Sequence, residues 1–339
     1  MHGYIGCYTT RSGKPTGASG VSLLSGGGQQ LTVRPGPHAV NPTYLALTPD
    51  NQILYAAVEL PDGGAIAAFR RAGDTLAPLG TPRLTGGTRS CYVSVHPAGY
   101  VLSADYGHGS LAVHPTGGDG ALLERTDLVR LTGSGPDPDR QEAAHAHMIV
   151  PTPDSQHVLA IDLGTDSIYR YTLASGRLQE DAVVRVAPGS GPRHLAYHPT
   201  LPYAYVANEL NSSVSVLDLA GFSVGATTST VEADADGTSH PSAIRVSPDG
   251  RFCYVANRGV DTIAVLAIHP DGTTLELITT VPCGGEHPRD MTLAGEYLYS
   301  ANQFSNTITQ FHVDQRTGVP RQLGEPVPTS APSCLVFAA

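Results

Sequence analysis

Short runs in which hydrophobic and polar residues alternate fill most of this 339-residue chain. Alternation with a period of two places every second side chain on the same face, which is typical of a β-strand. The runs are separated by Pro-Asp-Gly or His-Pro turns, as at residues 248–250 and 198–199. No segment sustains the helical period of about 3.6 residues, so the pattern predicts an all-β protein.

The runs recur in a fixed order six times. In each repeat, an alternating run, a turn and a second run lead to an Asn, Asp or Glu, which we call the anchor. The anchors are Glu59, Asp105, Asp162, Asn208, Asn257 and Asn302. Their steps of 46, 57, 46, 49 and 45 residues are close to the roughly 40–50 residues of a four-stranded propeller blade.

The two ends of the chain supply a seventh unit. Residues 3–8 and 333–337 each have a strand pattern, and pairing them in one blade closes a ring without leaving an exposed edge. We therefore predict one domain over residues 1–339, a seven-bladed β-propeller whose closing blade is built from both termini. Residues 117–144 fall in the 57-residue step and are predicted to form a long loop between blades.

Composition and charge narrow the class of protein. The 38 glycines and 27 prolines argue against a helical bundle, and 40% hydrophobic residues argue against disorder. A net charge of -10 without runs of like charge argues against nucleic-acid or anionic-membrane partners. Five cysteines without a CxxC pair, no signal-like N-terminal segment and no long apolar stretch predict a cytoplasmic, reducing location. We expect a monomer.

Two equivalent positions of the repeats contain residues that break the pattern. The start of the innermost strand is occupied by Thr43, Ser90, His147, Arg193, Ser242, Arg289 and Ser333. The residue after the anchor is Leu60, Tyr106, Leu163, Glu209, Arg258 or Gln303. Small hydroxyl residues are common at the first position and Leu occurs twice at the second, so the imidazole and the charged groups stand out.

Repeat symmetry predicts that these unusual side chains lie on one face of the propeller, at a mouth of its channel. Arginines, a carboxylate and an imidazole there suit an anionic small-molecule substrate. His147, Arg193, Glu209, Arg258 and Arg289 are thus the candidate site residues, and we expect substrate contacts from Arg289, His194, His145 and Gln303.

Less specific interpretations of the same residues stay open. The anchors suit structural bonds to nearby backbone, Glu209 with Arg258 could be only an ion pair between blades, and His145 and His194 could be supporting residues. His145 and His147 lie two apart on a predicted strand, as metal ligands can, but the neighbouring arginines oppose a cation. The predicted chemistry needs no metal and no cofactor.

Several motifs resemble a known family. They are His-Ala-His at 145–147, Gly-Pro-Arg-His at 191–194, Ala-Asn-Glu-Leu at 207–210, Val-Ala-Asn-Arg-Gly at 255–259 and His-Pro-Arg-Asp at 287–290. The chain resembles the bacterial 6-phosphogluconolactonases of the seven-bladed propeller type, which share their fold with the fungal-type carboxymuconate lactonizing enzymes. In the lactonizing branch, the residues that match His147, Arg193, Glu209 and Arg258 are regarded as the active-site set.

The resemblance implies hydrolysis of a sugar-type lactone, with 6-phosphogluconolactone as the leading substrate. Glu209 or His147 would act as the base, while Arg193 and Arg258 hold anionic groups and polarise the carbonyl. Lys14 is the only lysine, so arginine or histidine must hold any phosphate. The alternatives are a carboxymuconate-type cycloisomerase and a non-catalytic binding module.

Overall fold

The computed structural model describes residues 2–27 and 30–338. All regular secondary structure in this part of the chain is β, in 32 strands. Accordingly, residues 2–27 and 30–338 contain no helix of the length and apolarity that a membrane crossing would need. The chain divides into two compact units, of which the first is Met1–Val183 with Ser333–Ala339 and the second is Val184–Pro332.

One sheet of the first unit joins the two ends of the chain. Its strands run in the order β32-β1-β4-β5, so the last strand pairs with the first, as predicted. A two-stranded ribbon, β2 with β3, lies within the same part of the sequence. These strands are β1 (His2–Cys7), β2 (Thr10–Arg11), β3 (Lys14–Pro15), β4 (Gly20–Gly27), β5 (Gln30–His38) and β32 (Pro332–Ala338).

The first unit contains three further antiparallel sheets, each made from consecutive strands. The first of them consists of β6 (Tyr44–Leu47), β7 (Ile53–Leu60), β8 (Gly63–Ala72), β9 (Thr75–Pro78) and β10 (Arg83–Leu84). The next consists of β11 (Ser90–His96), β12 (Tyr100–Asp105), β13 (Ser110–Pro115) and β14 (Asp127–Arg130). The last consists of β15 (Ala146–Pro151), β16 (Val158–Asp162), β17 (Ser167–Ala174) and β18 (Arg177–Arg185).

Residues 117–144 are more ordered than the predicted long loop. Strand β14 lies inside this stretch and pairs with β13 as the outermost strand of its sheet. Gln141 is buried, and its side-chain amide donates hydrogen bonds to the Leu163 carbonyl at 2.8 Å and to Asp166 at 2.9 Å. The prediction of a loop is therefore wrong for 127–130, because the fourth strand of this repeat is displaced along the chain rather than missing.

The second unit contains three antiparallel sheets in sequence order. The first consists of β19 (Pro192–Tyr197), β20 (Tyr203–Asn208), β21 (Ser213–Asp218) and β22 (Ser223–Ser229). The second consists of β23 (His240–Val246), β24 (Phe252–Arg258), β25 (Thr262–Ile268) and β26 (Leu275–Pro282). The third consists of β27 (Pro288–Ala294), β28 (Tyr297–Asn302), β29 (Thr307–Val313), β30 (Pro320–Gln322) and β31 (Val327–Pro328).

The hydrophobic core of the second unit lies between neighbouring sheets. Successive residues of β24 point to opposite faces, so Cys253 and Val255 pack with residues of β20 and β21. Tyr254 and Ala256 pack on the other side with residues of β28 and β29. Burial of both faces explains why β24 is apolar throughout until the anchor at its end.

Candidate functional site

A β-bulge opens the first strand of each of five consecutive sheets. In each of these sheets, the register shifts directly after the residue pair that joins the strand to the anchor of its own repeat. The five pairs are Ser90 with Asp105, Ala146 with Asp162, Pro192 with Asn208, Pro241 with Asn257 and Pro288 with Asn302. A bulge leaves an extra residue outside the ladder and changes the direction of its side chain.

The unusual residues of the repeats occupy these bulges. His147, Arg193 and Arg289 each directly follow the residue paired with the anchor. By the same register, the equivalent residue of the β11 sheet is Cys91 and not Ser90, which pairs with the anchor itself. The alignment of Ser90 with His147 suggested by the sequence is therefore displaced by one residue, because counting along the chain does not reveal a bulge.

Arg193 is the buried centre of the charged cluster in the second unit. Its side chain is 3% exposed, and its Nη1 donates to the Ser242 carbonyl at 2.5 Å. Its Nε lies 3.2 Å from Oε2 of Glu209. His194 is also buried, and its Nδ1 lies 3.3 Å from Nη1 of Arg193. His194 therefore lies beside Arg193. This position is compatible with the predicted substrate contact and also with a supporting role.

Glu209 links Arg193 to a second guanidinium group. The same oxygen, Oε2, lies 2.7 Å from Nη2 of Arg258, and Glu209 is 3% exposed. The Glu209 backbone N–H donates to the carbonyl of Gly191 at 2.7 Å, and Gly191 has a φ of 61°, which glycine adopts readily. Arg258 is further fixed by donation from its Nε to the His240 carbonyl at 3.1 Å.

We call Arg193, Glu209 and Arg258 the ion triad. The ion pair between Glu209 and Arg258 that the sequence suggested as an alternative does exist. Arg193 takes part in it as a third charged group. A buried group of this kind contributes less to stability than packed hydrophobic residues of similar volume often do, because its charges lose their hydration. A gain in stability alone therefore does not explain why the ion triad is buried.

His287 lies within the electrostatic range of the ion triad and of Arg289, and its backbone contacts Gln303. Burial and the charges of Arg258, Arg289 and Arg193, only partly offset by Glu209, lower the pKa of His287 to about 3. The backbone N–H of Gln303 donates to the His287 carbonyl at 3.0 Å. The second unit therefore brings Arg193, Glu209, Arg258, Arg289 and Gln303 to one region, with His287 among them.

Sequence analysis missed His287 as a site residue. The sequence offered one signal for this role: His287 begins the His-Pro-Arg-Asp motif and lies two residues before Arg289. Its position before the bulge follows from the register of β27 and not from the repeat alignment.

The two remaining predicted residues, His145 and His147, belong to the first unit. The ring of His145 stacks on Tyr106 with centroids 4.3 Å apart, its Nδ1 lies 2.9 Å from the Tyr106 carbonyl and its Nε2 lies 3.1 Å from Glu142. Both ring nitrogens are thus engaged, which favours a supporting role over metal ligation or substrate contact. His147 is buried with its ring at an edge-on distance of 5.8 Å from that of Tyr106, and its catalytic role stays a prediction.

The anchors make the structural bonds expected of them. Asp105 accepts hydrogen bonds from Thr85, Ser90 and Ser110, and Asn208 donates to Ser213 and Ser215 at 2.9 Å each. No group of three or more His, Cys, Asp or Glu side chains in the described part of the chain is arranged to hold a metal ion. All five cysteines are buried free thiols.

Comparison with known proteins gives concordant matches over the whole chain. A family model described as lactonase, 7-bladed beta-propeller, matches residues 2–337. The 6-phosphogluconolactonase of Bacillus subtilis (strain 168) is 38% identical over 307 residues, which cover 88% of this chain and 87% of the relative. The family match confirms the predicted fold, and the seven large sheets are its blades.

Two solved structures are similar over almost their full length. A protein from Lactobacillus plantarum has a TM-score of 0.92 and 33% identity, covering 100% of this chain and 99% of that chain. The periplasmic gluconolactonase PpgL of Pseudomonas aeruginosa has a TM-score of 0.90 and 29% identity, with coverage of 100% and 99%.

Proposed function

Because the chain belongs to the lactonase family of seven-bladed β-propellers, we propose that it hydrolyses a sugar-type lactone, with 6-phosphogluconolactone as the leading substrate. It is an enzyme, a 6-phosphogluconolactonase-like lactonase, and not the non-catalytic binding module considered from the sequence. The observation that carries the substrate class is the ion triad together with Arg289 beside His287.

Lactone hydrolysis requires two kinds of catalytic group from the protein. A base must remove a proton from the attacking water, and a positive group must stabilise the oxyanion that forms on the carbonyl oxygen. Arg193 and Arg258 are assigned to the oxyanion and to the anionic part of the substrate. Planar guanidinium groups suit this task because they present several N–H donors in fixed directions.

The charge of the cluster supports a phosphorylated substrate. Three arginines and one glutamate act on His287, so this group of four carries a net charge of +2. A phosphate monoester carries between about one and a half and two negative charges near pH 7, which matches that charge. A neutral sugar lactone would bring no charge to pair with these arginines, and Lys14 is the only lysine of the chain, so the proposed phosphate contacts are assigned to arginines.

Glu209 and His147 are the proton acceptors proposed from the sequence. The contacts of Glu209 favour another task for it, since one carboxylate oxygen is shared between two guanidinium groups. In this assignment, Glu209 sets the spacing of Arg193 and Arg258, and the reaction proceeds by acid–base catalysis without a metal.

We also propose that the enzyme acts in the cytoplasm. Its five cysteines are all free thiols, which suits a reducing compartment. The similar protein of Pseudomonas aeruginosa is described as periplasmic, so the compartment is best tested by fractionation of the native host with antibodies against the enzyme. Recovery in the periplasmic fraction would contradict the proposed location.

A pH-stat assay tests the proposed reaction directly, because every turnover releases one carboxylic acid. The purified enzyme is compared on glucono-δ-lactone and on its 6-phosphate, with spontaneous hydrolysis subtracted and with a chelator in parallel. We expect a higher kcat/KM on the phosphorylated lactone and equal rates with the chelator.

Each other outcome of this assay is informative. A preference for the unphosphorylated lactone would favour a gluconolactonase, the activity in the name of the Pseudomonas aeruginosa neighbour. Cyclisation of a carboxymuconate without hydrolysis of either sugar lactone would favour the cycloisomerase. Absence of acid release from both sugar lactones would overturn the proposed reaction.

A further inference from the structure

His287 is held in an unusual backbone conformation. Its φ of 59° lies in the left-handed region, which is uncommon for residues other than glycine, although His, Asn and Asp are enriched among the exceptions. The backbone N–H of His287 donates to Asp261 at 2.8 Å, and its carbonyl accepts from the backbone of Gln303 at 3.0 Å. Contacts from two different sheets therefore fix this conformation, two residues before the bulge residue Arg289.

The imidazole of His287 is positioned by stacking. Its ring lies parallel to that of Phe304, with centroids 3.8 Å apart and an angle of 7° between the planes. The side chain is half-buried, and Phe304 is 43% exposed. Within residues 2–27 and 30–338, neither ring nitrogen of His287 has a hydrogen bond or an ion pair. The ring is thus fixed in place while both nitrogens are available to a bound molecule.

Burial and the surrounding charges keep this imidazole neutral. Burial is the largest cause that lowers the pKa of His287 to about 3, and Arg258, Arg289 and Arg193 add to it by opposing a positive charge on the ring. A neutral imidazole retains a lone pair on one nitrogen and can accept a proton. The arginines whose charges act on this imidazole include Arg193 and Arg258, which the proposed function assigns to the substrate.

We propose that His287 is a catalytic residue of the lactonase proposed above, the base that takes a proton from the attacking water. The water oxygen bonds to the lactone carbonyl carbon while its proton moves to His287, and the carbonyl electron pair moves to the oxyanion. Collapse of this intermediate breaks the bond between that carbon and the ring oxygen, which receives the proton back from His287. The product is the open hydroxy acid, and nothing is oxidised or reduced.

The charges around His287 link its basicity to the substrate. The charged groups that face it are Arg193, Arg258, Arg289 and Glu209, and its own segment and backbone contact add Glu286 and Asp261. A dianionic substrate bound to the arginines offsets their charge, so it raises the pKa of His287. Because kcat reports the enzyme–substrate complex and kcat/KM the free enzyme, the acidic limb of kcat should lie at higher pH than that of kcat/KM.

The deciding variant is H287G, since glycine accepts the left-handed backbone and leaves a space beside Phe304. We expect kcat on the wild type's preferred lactone to fall at least about 100-fold with KM changed less than about threefold. Added imidazole should restore at least about a tenth of the lost rate, which a structural residue would not allow. H287N, which also tolerates a positive φ, provides a second variant should H287G unfold.

H269N is the matched control, because His269 is an exposed histidine whose ring Nδ1 lies 2.9 Å from Oδ1 of Asp271. It should keep the wild-type kcat. An active wild type with unchanged kcat in H287G or H287N would overturn the role of His287 and leave the proposed function intact. The same holds if H147N loses activity and imidazole rescues that variant instead. A wild type without lactone hydrolysis would overturn both proposals.

Discussion

The two units fill one structural position with different chemistry. In the first unit, the anchors that end β12 and β16 are the carboxylic acids Asp105 and Asp162, and both are fully buried. In the second unit, the anchors are the amides Asn208, Asn257 and Asn302, which are equally buried. All five make hydrogen bonds to hydroxyl or backbone groups of their own repeat, so burial and bonding alone do not account for the choice.

The residue after the anchor accounts for two of the three amides, Asn208 and Asn257. Asp105 and Asp162 are followed by the uncharged Tyr106 and Leu163. Asn208 is followed by Glu209, and the equivalent residue after Asn257 is Arg258; both are buried members of the ion triad.

No repeat has formal charges at both positions. Each buried charge carries a large desolvation cost, so two adjacent charges would add their costs. The comparison teaches that an anchor is neutral where the next residue carries a charge of the ion triad, as at Asn208 and Asn257.

The largest effect is expected from removing the negative charge of Glu209, the carboxylate of the ion triad. E209Q keeps the shape of the side chain but leaves Arg193 and Arg258 without their shared counter-ion. Breaking a buried ion pair on one side typically costs about 3–5 kcal/mol, so we expect a loss of this size in the free energy of unfolding. We also expect a fall of at least about 100-fold in kcat/KM on the preferred lactone.

Urea denaturation and the pH-stat assay measure these two quantities. D181N is the matched control, because Asp181 pairs with Arg170 at 2.5 Å while 40% exposed. An exposed pair of this kind contributes up to about 1 kcal/mol, and its loss should leave activity unchanged. Equal losses of stability in E209Q and D181N would contradict the distinction between the ion triad and surface pairs.

A smaller loss in the free energy of unfolding is expected when Asn208, an amide anchor of the second unit, is replaced by aspartate, the anchor type found at Asp105 and Asp162. N208D loses two amide donors and adds a buried carboxylate next to Glu209. We expect a loss of about 2–3 kcal/mol near pH 7. The loss should shrink as the pH falls, because burial raises the pKa of the new carboxyl and the folded state then binds its proton more tightly.

N302D serves as its control, since the following residue, Gln303, is uncharged. Its loss should be smaller than that of N208D by urea denaturation at the same pH. If the two losses agree, the neighbour of the anchor does not govern its charge, and the explanation offered for the two units is wrong.

The smallest effect is a gain in the free energy of unfolding, expected when Asp105 of the first unit is replaced by asparagine, the anchor type of the second unit. Burial is the main cause that raises the pKa of Asp105, against hydrogen bonds from Ser90, Thr85 and Ser110 that lower it. The folded state therefore binds a proton more tightly than the unfolded state, and wild-type stability falls as the pH rises above the ordinary value of 3.8. D105N removes this loss.

We expect D105N to be more stable by about 1 kcal/mol near pH 7 and equal to the wild type at acid pH. Unfolding by urea between about pH 4 and about pH 7 measures the difference. A variant that is less stable at neutral pH would show that the three hydroxyl donors need a carboxylate at this position.

Much of the candidate site could be predicted because the repeats supply an internal standard. Arg193, Glu209 and Arg258 stand out where other repeats have small or apolar residues, and they do meet. His287 could not be found in this way. Its site properties come from a left-handed backbone, a stacked ring and the summed charge of three arginines, none of which a repeat alignment contains. Strand β14 was missed because a displaced strand loses its place in the alignment.

The sequence by itself determined the all-β class, the seven blades and the pairing of the two termini, because alternation and spacing are local, recur in six repeats and leave one strand pattern at each end. Only the tertiary structure decided the bulges, the sharing of one Glu209 oxygen by two arginines and the neutrality of His287. These depend on the register between strands and on charges that lie far apart in the chain, and burial makes both matter by excluding water.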